Sequence, residues 1–418
     1  MSWSNPWRQG FRKSTLLRLS IALVSLLLLG TNILTAFRGV RIHPSHLAFQ
    51  ENDLLQRHEY SNHTADAIKL PPFTPQESFG ACALILNQNH RITEWIAYHY
   101  FALPMRTLIV AYDPKSTQRA TNLLHRWRTV IDIVEWEEDD YLPANWSDGI
   151  TRQTFWAKPV ESVIYENRQI YFMQECTLAM AAKNVSRVIH HDVDEYLRIH
   201  TKVVQGYDTT HPGHITEFLN QKNNTISDIV PGWSLNASCW VFHRLLFTPM
   251  RKDWSTEQQS IYQKNDLPWV RPMHFETLRY RYRNAHIQQT GKGILQLNHI
   301  PSTVLFRREN FFDKWLKVHN PLGRSLCQGP WPLSSTPLIL NHYTGSYEAY
   351  LYAAQWDPRF QDRTEWERRT AHGKGVPRLE EGITNWVAAF VAWLSEPVAR
   401  ALMSDAGWRD EWNLGHDA

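Results

Sequence analysis

One pattern narrows the possible folds of this chain more than any other: between residues 79 and 199, short apolar runs alternate with amphipathic segments. The runs of buried-strand type are GACALILN, RTLIVAYD, VIDIVEW and VSRVIHHDVDEYL. Between them, RITEWIAYHYFAL, STQRATNLLHRWR and YFMQECTLAMAAKN are predicted helices. Because strands that alternate with helices form right-handed β–α–β units, we predict an α/β fold with a doubly wound, mostly parallel sheet.

The charge distribution excludes one class of partner. The chain has 418 residues and a formal net charge of +3, but its first 50 residues hold six basic side chains and no acidic one. Without those six, 38 basic residues face 41 acidic ones. The body therefore carries no stripe of Lys and Arg that would follow a phosphate backbone, and we expect no nucleic-acid partner.

Residues 19–37, LSIALVSLLLLGTNILTAF, form an uncharged run of 19 residues. At about 1.5 Å per residue, a helix of this length just spans a hydrocarbon layer of about 30 Å, so we predict a transmembrane anchor. A cleaved signal peptide is the alternative, but its apolar core is usually shorter. Basic residues are more frequent before the run than after it, which predicts a cytosolic tail at 1–18 and a type II topology. The polar, proline-punctuated residues 38–78 are predicted to form a stem.

Two further features agree with a lumenal or external body. Glycosylation sequons occur at Asn62, Asn145, Asn184, Asn223 and Asn236. The four cysteines, Cys82, Cys176, Cys239 and Cys327, are even in number and contain no C-x-x-C spacing. This speaks against a zinc ribbon or a redox motif, and leaves open one or two disulfides or four buried thiols.

The pattern becomes less regular beyond residue 200. NNTISDIVPGW, NASCWVFHRLLF and GILQLNHIPSTVLFR are predicted strands or loops. QTGKG, residues 289–293, lacks the upstream glycine of a phosphate-binding loop and is predicted to be a turn. Residues 361–418 are predicted to form a C-terminal helical segment, in which Pro397 separates two helices.

Polar and acidic side chains follow the predicted strands. They are Asn87 after the first strand, Asp113 after the second, Glu137–Asp140 after the third, and Asp192, Asp194 and Glu195 at the end of the fourth. Ligands of open α/β sheets bind at the carboxyl ends of the strands, so we expect these side chains to surround a ligand.

The segment HHDVDEYL suggests what that ligand carries. In an extended segment, residues two apart face the same way, so Asp192 and Asp194 are predicted to present their carboxylates together while Val193 faces the core. Such a pair suits Mn²⁺ or Mg²⁺ that is also bound by substrate phosphates. A bare diphosphate would be repelled by the acids unless a divalent ion lay between them. A solvated surface loop or a structural calcium site is the alternative.

The segments LILNQNHRITEWIAYHYFALPMRTLIVAYDPKS and HHDVDEYL resemble glycosyltransferases of family 92 and their family 2-like relatives, which share the GT-A nucleotide-sugar fold. The positions that carry the resemblance are Glu94, Trp95, His99, Tyr112, Asp113, Ser116, Asp192, Asp194 and Glu195. VHNPL, Cys327 and LNHYTGSYEAYLYAAQWDPR resemble the closing segment of these enzymes. The likeness extends over about residues 79–360 and departs from the family pattern between residues 230 and 290.

The resemblance implies a nucleotide-sugar-binding half at 79–200 and an acceptor-binding half at 201–360. Asp192 and Asp194 would hold Mn²⁺, or Mg²⁺, against the diphosphate of a UDP-sugar, and the metal would neutralise charge on the leaving group. The implied catalytic residues are Asp192, Asp194 and Glu195; the implied nucleotide-sugar-binding residues are Asn87, Glu94, Asp113 and Asp192.

Two roles stay open. His342, in LNHY, is the candidate third metal ligand, and His299, in LNHIP, is its competitor. An inverting transfer also needs a general base near the acceptor hydroxyl, for which the sequence does not choose among Asp253, Glu257 and Glu276.

The sequence thus predicts a metal-dependent, inverting glycosyltransferase of the Golgi membrane, with its body in the lumen. It would move a sugar, with galactose as the candidate, from UDP to a glycan. A metal-dependent phosphoesterase would usually require a second set of ligands for paired ions. A catalytically inactive, glycan-binding or scaffolding relative is the remaining alternative.

Overall fold

The alternating segments form the predicted β–α units. The structure is a computed structural model. It describes residues 79–144, 146, 160–221, 230, 232–248, 267, 269–305, 318–319, 321–322, 326–355, 364, 366–367, 378–380 and 382–407. The first elements in chain order are β1 (Phe79–Ile85), α1 (Asn89–Ala102), β2 (Met105–Tyr112), α2 (Thr121–Trp127), β3 (Asp132–Trp136), α3 (Glu138–Tyr141), α4 (Val160–Ala182) and β4 (Arg187–Ile189). Strands β3, β2, β1 and β4 pair in that order, and all three pairings are parallel.

The rest of the described chain adds mainly antiparallel strands to the same sheet. Its elements are β5 (Glu195–Ile199), α5 (His214–Asn220), β6 (Cys239–Phe247), α6 (Glu276–Arg279), β7 (Tyr282–Gln296), α7 (Ser302–Leu305), β8 (Cys327–Gln328), β9 (Leu338–Tyr343), α8 (Tyr347–Ala354), β10 (Arg378–Leu379), α9 (Trp386–Leu394) and α10 (Glu396–Met403). Short 3₁₀ turns occupy Pro272–His274 and Leu297–His299. The strand order is β3-β2-β1-β4-β7-β6-β9-β5, with β10 beside β7 and β8 beside β6.

The predicted α/β class and mostly parallel sheet are confirmed, although the sheet also contains antiparallel pairings. Five of the nine pairings between described strands are parallel, and the antiparallel ones begin where β7 joins β4. We call β1–β4 the parallel half of the sheet and β5, β6, β7 and β9 the antiparallel half. The β4–β7 pairing is the boundary between the two halves.

The predicted fourth strand is in fact two strands. β4 ends at Ile189 beside β1, whereas β5 starts at Glu195 and lies at the far edge of the sheet beside β9. A hydrogen bond of 2.9 Å from the Glu195 amide to the Asp192 carbonyl closes a turn between them. The two aspartates therefore lie in a turn and not in an extended segment.

Helix α1 fixes the position of β5. All 14 of its residues are buried, so it is a core helix and not a surface one. Trp95 Nε1 donates to the carbonyl of Glu195 at 3.1 Å, and Tyr98 Oη donates to the carbonyl of Leu197 at 2.6 Å. Helix α1 also packs on α9, where the Trp386 ring meets the Tyr98 ring edge-on.

The four cysteines form two disulfides, which decides between the alternatives left by the sequence. Cys82 on β1 is joined to Cys176 on α4, and Cys239 on β6 to Cys327 on β8. One bridge therefore closes the parallel half and the other the antiparallel half. The two C-terminal helices expected around Pro397 are α9 and α10.

The predicted cytosolic tail, transmembrane anchor and stem, residues 1–78, lie outside the described residues. Within the described ranges, no helix is both long and apolar enough to cross a membrane.

Candidate functional site

The turn from Asp192 to Glu195, which we call the DVDE turn, joins the two halves of the sheet. Besides its backbone hydrogen bond, the Asp192 amide donates to Glu195 Oε2 at 3.1 Å, so the last acid of the turn holds the first. The Asp194 carbonyl accepts a hydrogen bond of 2.9 Å from the Tyr343 amide at the end of β9. Val193 is buried, as predicted, whereas the side chains of Asp192 and Asp194 are 43% and 19% exposed.

Each of the three carboxylates lies close to at least one cation. The pairs are Asp192–Lys292 at 3.1 Å, Asp194–Arg91 at 3.0 Å and Glu195–Arg244 at 2.7 Å. The three cations come from β7, α1 and β6, which are far apart in the sequence. These ion pairs explain why the fold tolerates three closely spaced acids, because uncompensated buried charges would be strongly destabilising.

Glu195 is the deepest of the three acids and has no exposed surface. Burial alone would raise its pKa, but the neighbouring Lys292 and Arg244 lower the pKa below its ordinary value. The same opposition holds for Asp194, where burial is outweighed by His342 and Arg91 and the pKa is lowered. Both side chains are therefore carboxylates at neutral pH. Glu195 thus contacts no solvent and holds two cations beneath the turn, and its predicted catalytic role stays a prediction.

Lys292 lies within a strand, which corrects the prediction of a turn at residues 289–293. It lies on β7 opposite Phe242, and only 1% of its side chain is exposed. The glycines on either side permit this close packing: a Cβ at Gly291 would lie 2.5 Å from the Phe242 carbonyl oxygen, and one at Gly293 would lie 2.7 Å from that of Trp240. Gly-Lys-Gly thus holds a buried lysine beneath the DVDE turn.

Arg91 also contacts Glu276 and so connects the DVDE turn to helix α6. Its Nη1 contacts Asp194, while its Nε and Nη2 both lie 2.9 Å from Glu276 Oε1. Burial raises the pKa of Glu276 to about 8, and the nearby Glu94 and Asp194 add to the increase against the effect of Arg91.

Glu94 caps helix α6 and does not face a cavity. It is fully buried and accepts hydrogen bonds from the amides of Glu276 and Thr277 and from the Thr277 hydroxyl, at 2.6–2.9 Å. Burial raises its pKa to about 7. None of its surface is exposed and its hydrogen bonds hold the start of α6, while the predicted contact of Glu94 with a nucleotide stays a prediction.

Asn87 and Asp113 lie together after β1 and β2, as the parallel topology predicts. Asn87 adopts a left-handed backbone conformation with φ of 52°. Its Oδ1 accepts hydrogen bonds from the amides of Thr117 and Gln118, both at 2.9 Å, which fixes the loop that follows Asp113. Its Nδ2 is buried and donates to no described residue, so Asn87 has a free donor next to this loop.

Helix α4 links this loop region to the DVDE turn through two adjacent residues. Gln169 Nε2 donates to Asp192 Oδ1 at 3.3 Å, and Arg168 Nε donates to Glu138 Oε1 at 3.0 Å. Burial raises the pKa of Tyr141 on α3, and the negative charges of Asp113 and Glu138 raise it further, so both acids lie near this tyrosine. The predicted nucleotide residues and the DVDE turn therefore lie at the same edge of the sheet.

Asp194 and His342 are suited to hold a divalent ion. His342 on β9 pairs in register with Glu195, and its Nε2 lies 3.6 Å from Asp194 Oδ2. Asp194 Oδ1 is buried and accepts no hydrogen bond from the described residues, as expected of an oxygen that awaits a cation. Among the residues that the structure describes, no group of three His, Cys, Asp or Glu side chains is placed to hold a metal ion. Because Mg²⁺ and Mn²⁺ are often held by one or two carboxylates plus substrate phosphates, the residues fit an ion that a substrate helps to bind.

His299, the alternative to His342 as a metal ligand, makes its contacts at the end of β7. His299 Nδ1 lies 3.5 Å from Gln296 Nε2, at the end of β7, and its carbonyl accepts a hydrogen bond from Ser238. No contact of His299 with the DVDE turn occurs among the described residues. Asp253 and Glu257, two of the three candidate bases, lie outside the described residues.

The site residues that the sequence reasoning missed are Arg91, Gln169, Arg244 and Lys292. A usable signal existed for two of them. Arg244 interrupts the apolar run CWVFHRLLF, and Lys292 precedes the apolar run ILQL. A charged residue within a buried strand is almost always paired, so each of these predicts an acidic partner in the core.

Comparison with known proteins gives distant matches only. No family model matches the chain, and no curated protein matches it. Among solved structures, it is similar to mouse xyloside xylosyltransferase 1 in its apo form, at 11% identity over 55% of this chain and 72% of that one, with a TM-score of 0.25. It is also similar to glucosyl-3-phosphoglycerate synthase from Mycobacterium tuberculosis in complex with Mn²⁺ and UDP-glucose, at 12% identity over 55% of this chain and 62% of that one, with a TM-score of 0.22. The chain thus covers less than two thirds of the synthase in this match, and at these TM-scores function must be argued from its own residues.

Proposed function

We propose that this protein is a glycosyltransferase that transfers a sugar from a UDP-sugar to a glycan acceptor, with a divalent metal ion bound at the DVDE turn. The observation that carries the proposal is Asp194 at the carboxyl edge of the sheet: one of its oxygens accepts no hydrogen bond from the described residues, and a histidine lies beside the other. The resemblance of the E-W-x-x-x-H and D-x-D-E segments to family 92 glycosyltransferases supports it.

The charges around the turn favour a metal–diphosphate ligand over a free ion or a free anion. The three carboxylates are already balanced by Arg91, Arg244 and Lys292. A divalent ion alone would add uncompensated positive charge, and a diphosphate alone would approach two partly exposed carboxylates. A metal ion together with the diphosphate of a UDP-sugar adds little net charge and can be accepted without moving the buried pairs.

Within this site the residues have distinct roles. Asp192, Asp194 and His342 would hold Mn²⁺ or Mg²⁺, which when bound would neutralise charge on the departing UDP. Lys292 and Gln169 orient Asp192 from opposite sides, through its Oδ2 and Oδ1. Glu195 keeps Arg244 and Lys292 in place below the turn.

The nucleotide would lie over the carboxyl ends of β1 and β2. Asp113 follows β2 there, and the Nδ2 group of Asn87 is a donor without a partner in the described chain. A carbonyl of the base or a ribose hydroxyl is the kind of acceptor that this amide can bind. We assign Asn87 and Asp113 to the donor half of the site on this ground.

The base that activates the acceptor stays unassigned among Asp253, Glu257 and Glu276. Glu276 has a pKa raised to about 8 by burial, so it is mostly protonated at neutral pH. Its Oε1 is also held by Arg91. Both properties count against Glu276 as a base at pH 7 unless acceptor binding changes its surroundings.

Features outside the site support a proposed location. The apolar run at 19–37, the five sequons and the two disulfides favour a lumenal body on a type II membrane protein of the Golgi. Galactose is the donor sugar we would test first.

Turnover of a panel of UDP-sugars tests the proposal. The full chain is incubated with each donor, with and without glycan acceptors, in Mn²⁺ and in a chelator, and UDP release is measured. We expect one donor to be turned over in Mn²⁺ and not in the chelator. Release of sugar phosphate and UMP would indicate a phosphoesterase, and binding of glycans without UDP release under any condition would indicate an inactive relative.

A further inference from the structure

A cavity of about 190 Å³ lies at the far end of β5 from the DVDE turn. Its walls come from β5, α1, α5 and the start of α9. The side chains that matter here are Tyr98, Arg198, Thr201, Thr209, His214 and Trp386. The space can hold several waters and is large enough for a group the size of a single sugar ring.

Arg198 is the charged group of this cavity. Only 1% of it is exposed. Its Nε donates to Asn341 Oδ1 at 2.9 Å and its Nη1 donates to the Ile199 carbonyl at 3.2 Å. Its Nη2 has no hydrogen-bond partner among the described residues and lies 3.6 Å from the nearest carboxylate oxygen, Glu380 Oε1. A buried guanidinium with an unused donor is rare, because each unmade bond costs free energy.

Among the residues that the structure describes, the cations around Arg198 share one acid. Glu380 is shared by three cations: Arg198, Lys202 at 2.9 Å and Arg283 at 3.4 Å. Burial lowers the pKa of Arg198, so Glu380 only partly compensates its charge. Within this group of described side chains, three cations share one carboxylate, and such an excess of positive charge favours an anion.

The remaining walls are suited to hydroxyl groups and an apolar ring face. His214 Nδ1 lies 2.9 Å from the His211 carbonyl, which can only accept, so Nδ1 carries the hydrogen and Nε2 is an acceptor. Burial lowers the pKa of His214 to about 4, and it is therefore neutral at pH 7. The hydroxyls of Thr201 and Thr209 can donate or accept. Tyr98 and Trp386 add an aromatic corner.

We propose that this cavity binds a small hydroxylated anion, namely a monosaccharide that carries a carboxylate or a phosphate. Arg198 would receive the anionic group, and His214 and the two threonines would receive ring hydroxyls. The site is separate from the DVDE turn, and its occupation does not depend on the proposed transferase activity.

Calorimetric titration of the purified full chain tests this site directly. The probes are glucuronate, glucose 6-phosphate, glucose and inorganic phosphate, at one ionic strength and without Mn²⁺ or UDP. Since a hydrogen bond to a charged group contributes about 1.5–3 kcal/mol, we expect one of the two acidic sugars to bind about tenfold or more tightly than glucose. It should also bind more tightly than inorganic phosphate. The acidic sugar that binds identifies the group, carboxylate or phosphate.

Two pairs of variants separate direct contact from general effects. Arg198→Gln should weaken binding of the acidic sugar about tenfold or more, whereas Lys202→Gln, which contacts the same Glu380 but does not line the cavity, should weaken it by less than about threefold. Thr209→Trp fills the cavity from its half-buried rim and should abolish binding, while Thr129→Trp, at an exposed position elsewhere, should not. Thermal melts establish that each variant is folded, and the threonine pair decides the matter if Arg198→Gln does not fold.

Three results would overturn the proposal. The first is equal affinity for glucose and the acidic sugars, or no binding of any probe. The second is inorganic phosphate binding as tightly as the acidic sugars. The third is parental affinity in folded Arg198→Gln or Thr209→Trp.

Discussion

The two halves of the sheet contribute differently to the site. The parallel half supplies the loops after β1 and β2, with Asn87 and Asp113, and the cation Arg91 from α1. The antiparallel half supplies Lys292, Arg244 and His342, on three strands. The acids themselves lie in the turn between the halves. Neither half alone supplies a cation for each of the three carboxylates. The charge balance of the site therefore depends on both halves.

Two buried glutamates express the same difference. Glu94 on α1 and Glu195 on β5 both have no exposed surface. Glu94 is held mainly by backbone amides, and burial raises its pKa to about 7. Glu195 contacts two strand cations, which lower its pKa despite burial. Equal burial thus gives opposite shifts because Glu195 contacts two cations directly, whereas Glu94 is held mainly by backbone amides.

The largest effect is expected from Glu195→Ala. It leaves Arg244 and Lys292 buried without their shared carboxylate, which should lower the free energy of unfolding by about 3–5 kcal/mol. Asp132→Ala is the control in the parallel half, since Asp132 and Lys183 form an exposed pair at 2.7 Å and should contribute less than about 1 kcal/mol. Urea unfolding of both variants measures the difference. Similar losses in the two variants would mean that the junction charges do not stabilise the fold.

Removal of each disulfide tests whether the two bridges stabilise their halves of the sheet equally. The bridges span 94 and 88 residues, so chain entropy predicts nearly equal losses, each about 2–5 kcal/mol. The variants are Cys82→Ala with Cys176→Ala, and Cys239→Ala with Cys327→Ala, compared by urea unfolding. A loss confined to one bridge would show that the packing of that half, and not loop closure, sets its stability.

Added methyl groups probe the backbone contacts of each half. Gly293→Ala places a Cβ 2.7 Å from a backbone oxygen on β6 and should cost about 1–3 kcal/mol. Gly80→Ala meets two side chains and no backbone atom, Met180 Sδ at 2.6 Å and Val185 Cγ1 at 3.0 Å. Because side chains can shift more easily than a strand backbone, its cost should be smaller, about 1 kcal/mol. The reverse order in thermal melts would contradict the close approach of β7 to β6.

The smallest effect is expected in the pH dependence of stability. The raised pKa of Glu94 means that the folded state binds its proton more tightly than the unfolded chain. Stability from this group is therefore present below about pH 4.5 and is lost as the pH rises through about 7. Glu94→Gln should flatten this loss. For Glu195, whose pKa is lowered, stability is lost only as the pH falls below about 4.5, and Glu195→Gln should flatten that acid limb. Melting temperatures across both pH ranges measure the two slopes, and an unchanged slope in either variant would contradict the assigned shift.

The sequence predicted the parallel half better than the antiparallel half for a physical reason. Each β–α unit of the parallel half is local, so its apolar periods and the polar residues after β1 and β2 are visible in consecutive residues. β5 pairs with β9, and β6 pairs with both β7 and β9, across long sequence separations that periodicity does not record. The same limit explains why the acids of the DVDE turn were found and their cations were not. The turn itself was mistaken for a strand because hydrogen bonds between Asp192 and Glu195 override an extended pattern.

The most direct test of the central claim is metal-dependent binding of UDP at the DVDE turn. Calorimetry of the full chain with UDP, in Mn²⁺ and in a chelator, would compare the parent, Asp194→Asn and the exposed control Asp132→Asn. We predict that the parent and the control bind UDP only with Mn²⁺, and that Asp194→Asn, folded by its thermal melt, binds about tenfold to a hundredfold more weakly. UDP binding by folded Asp194→Asn with the parental affinity and metal dependence would contradict the assignment of this turn as the donor site.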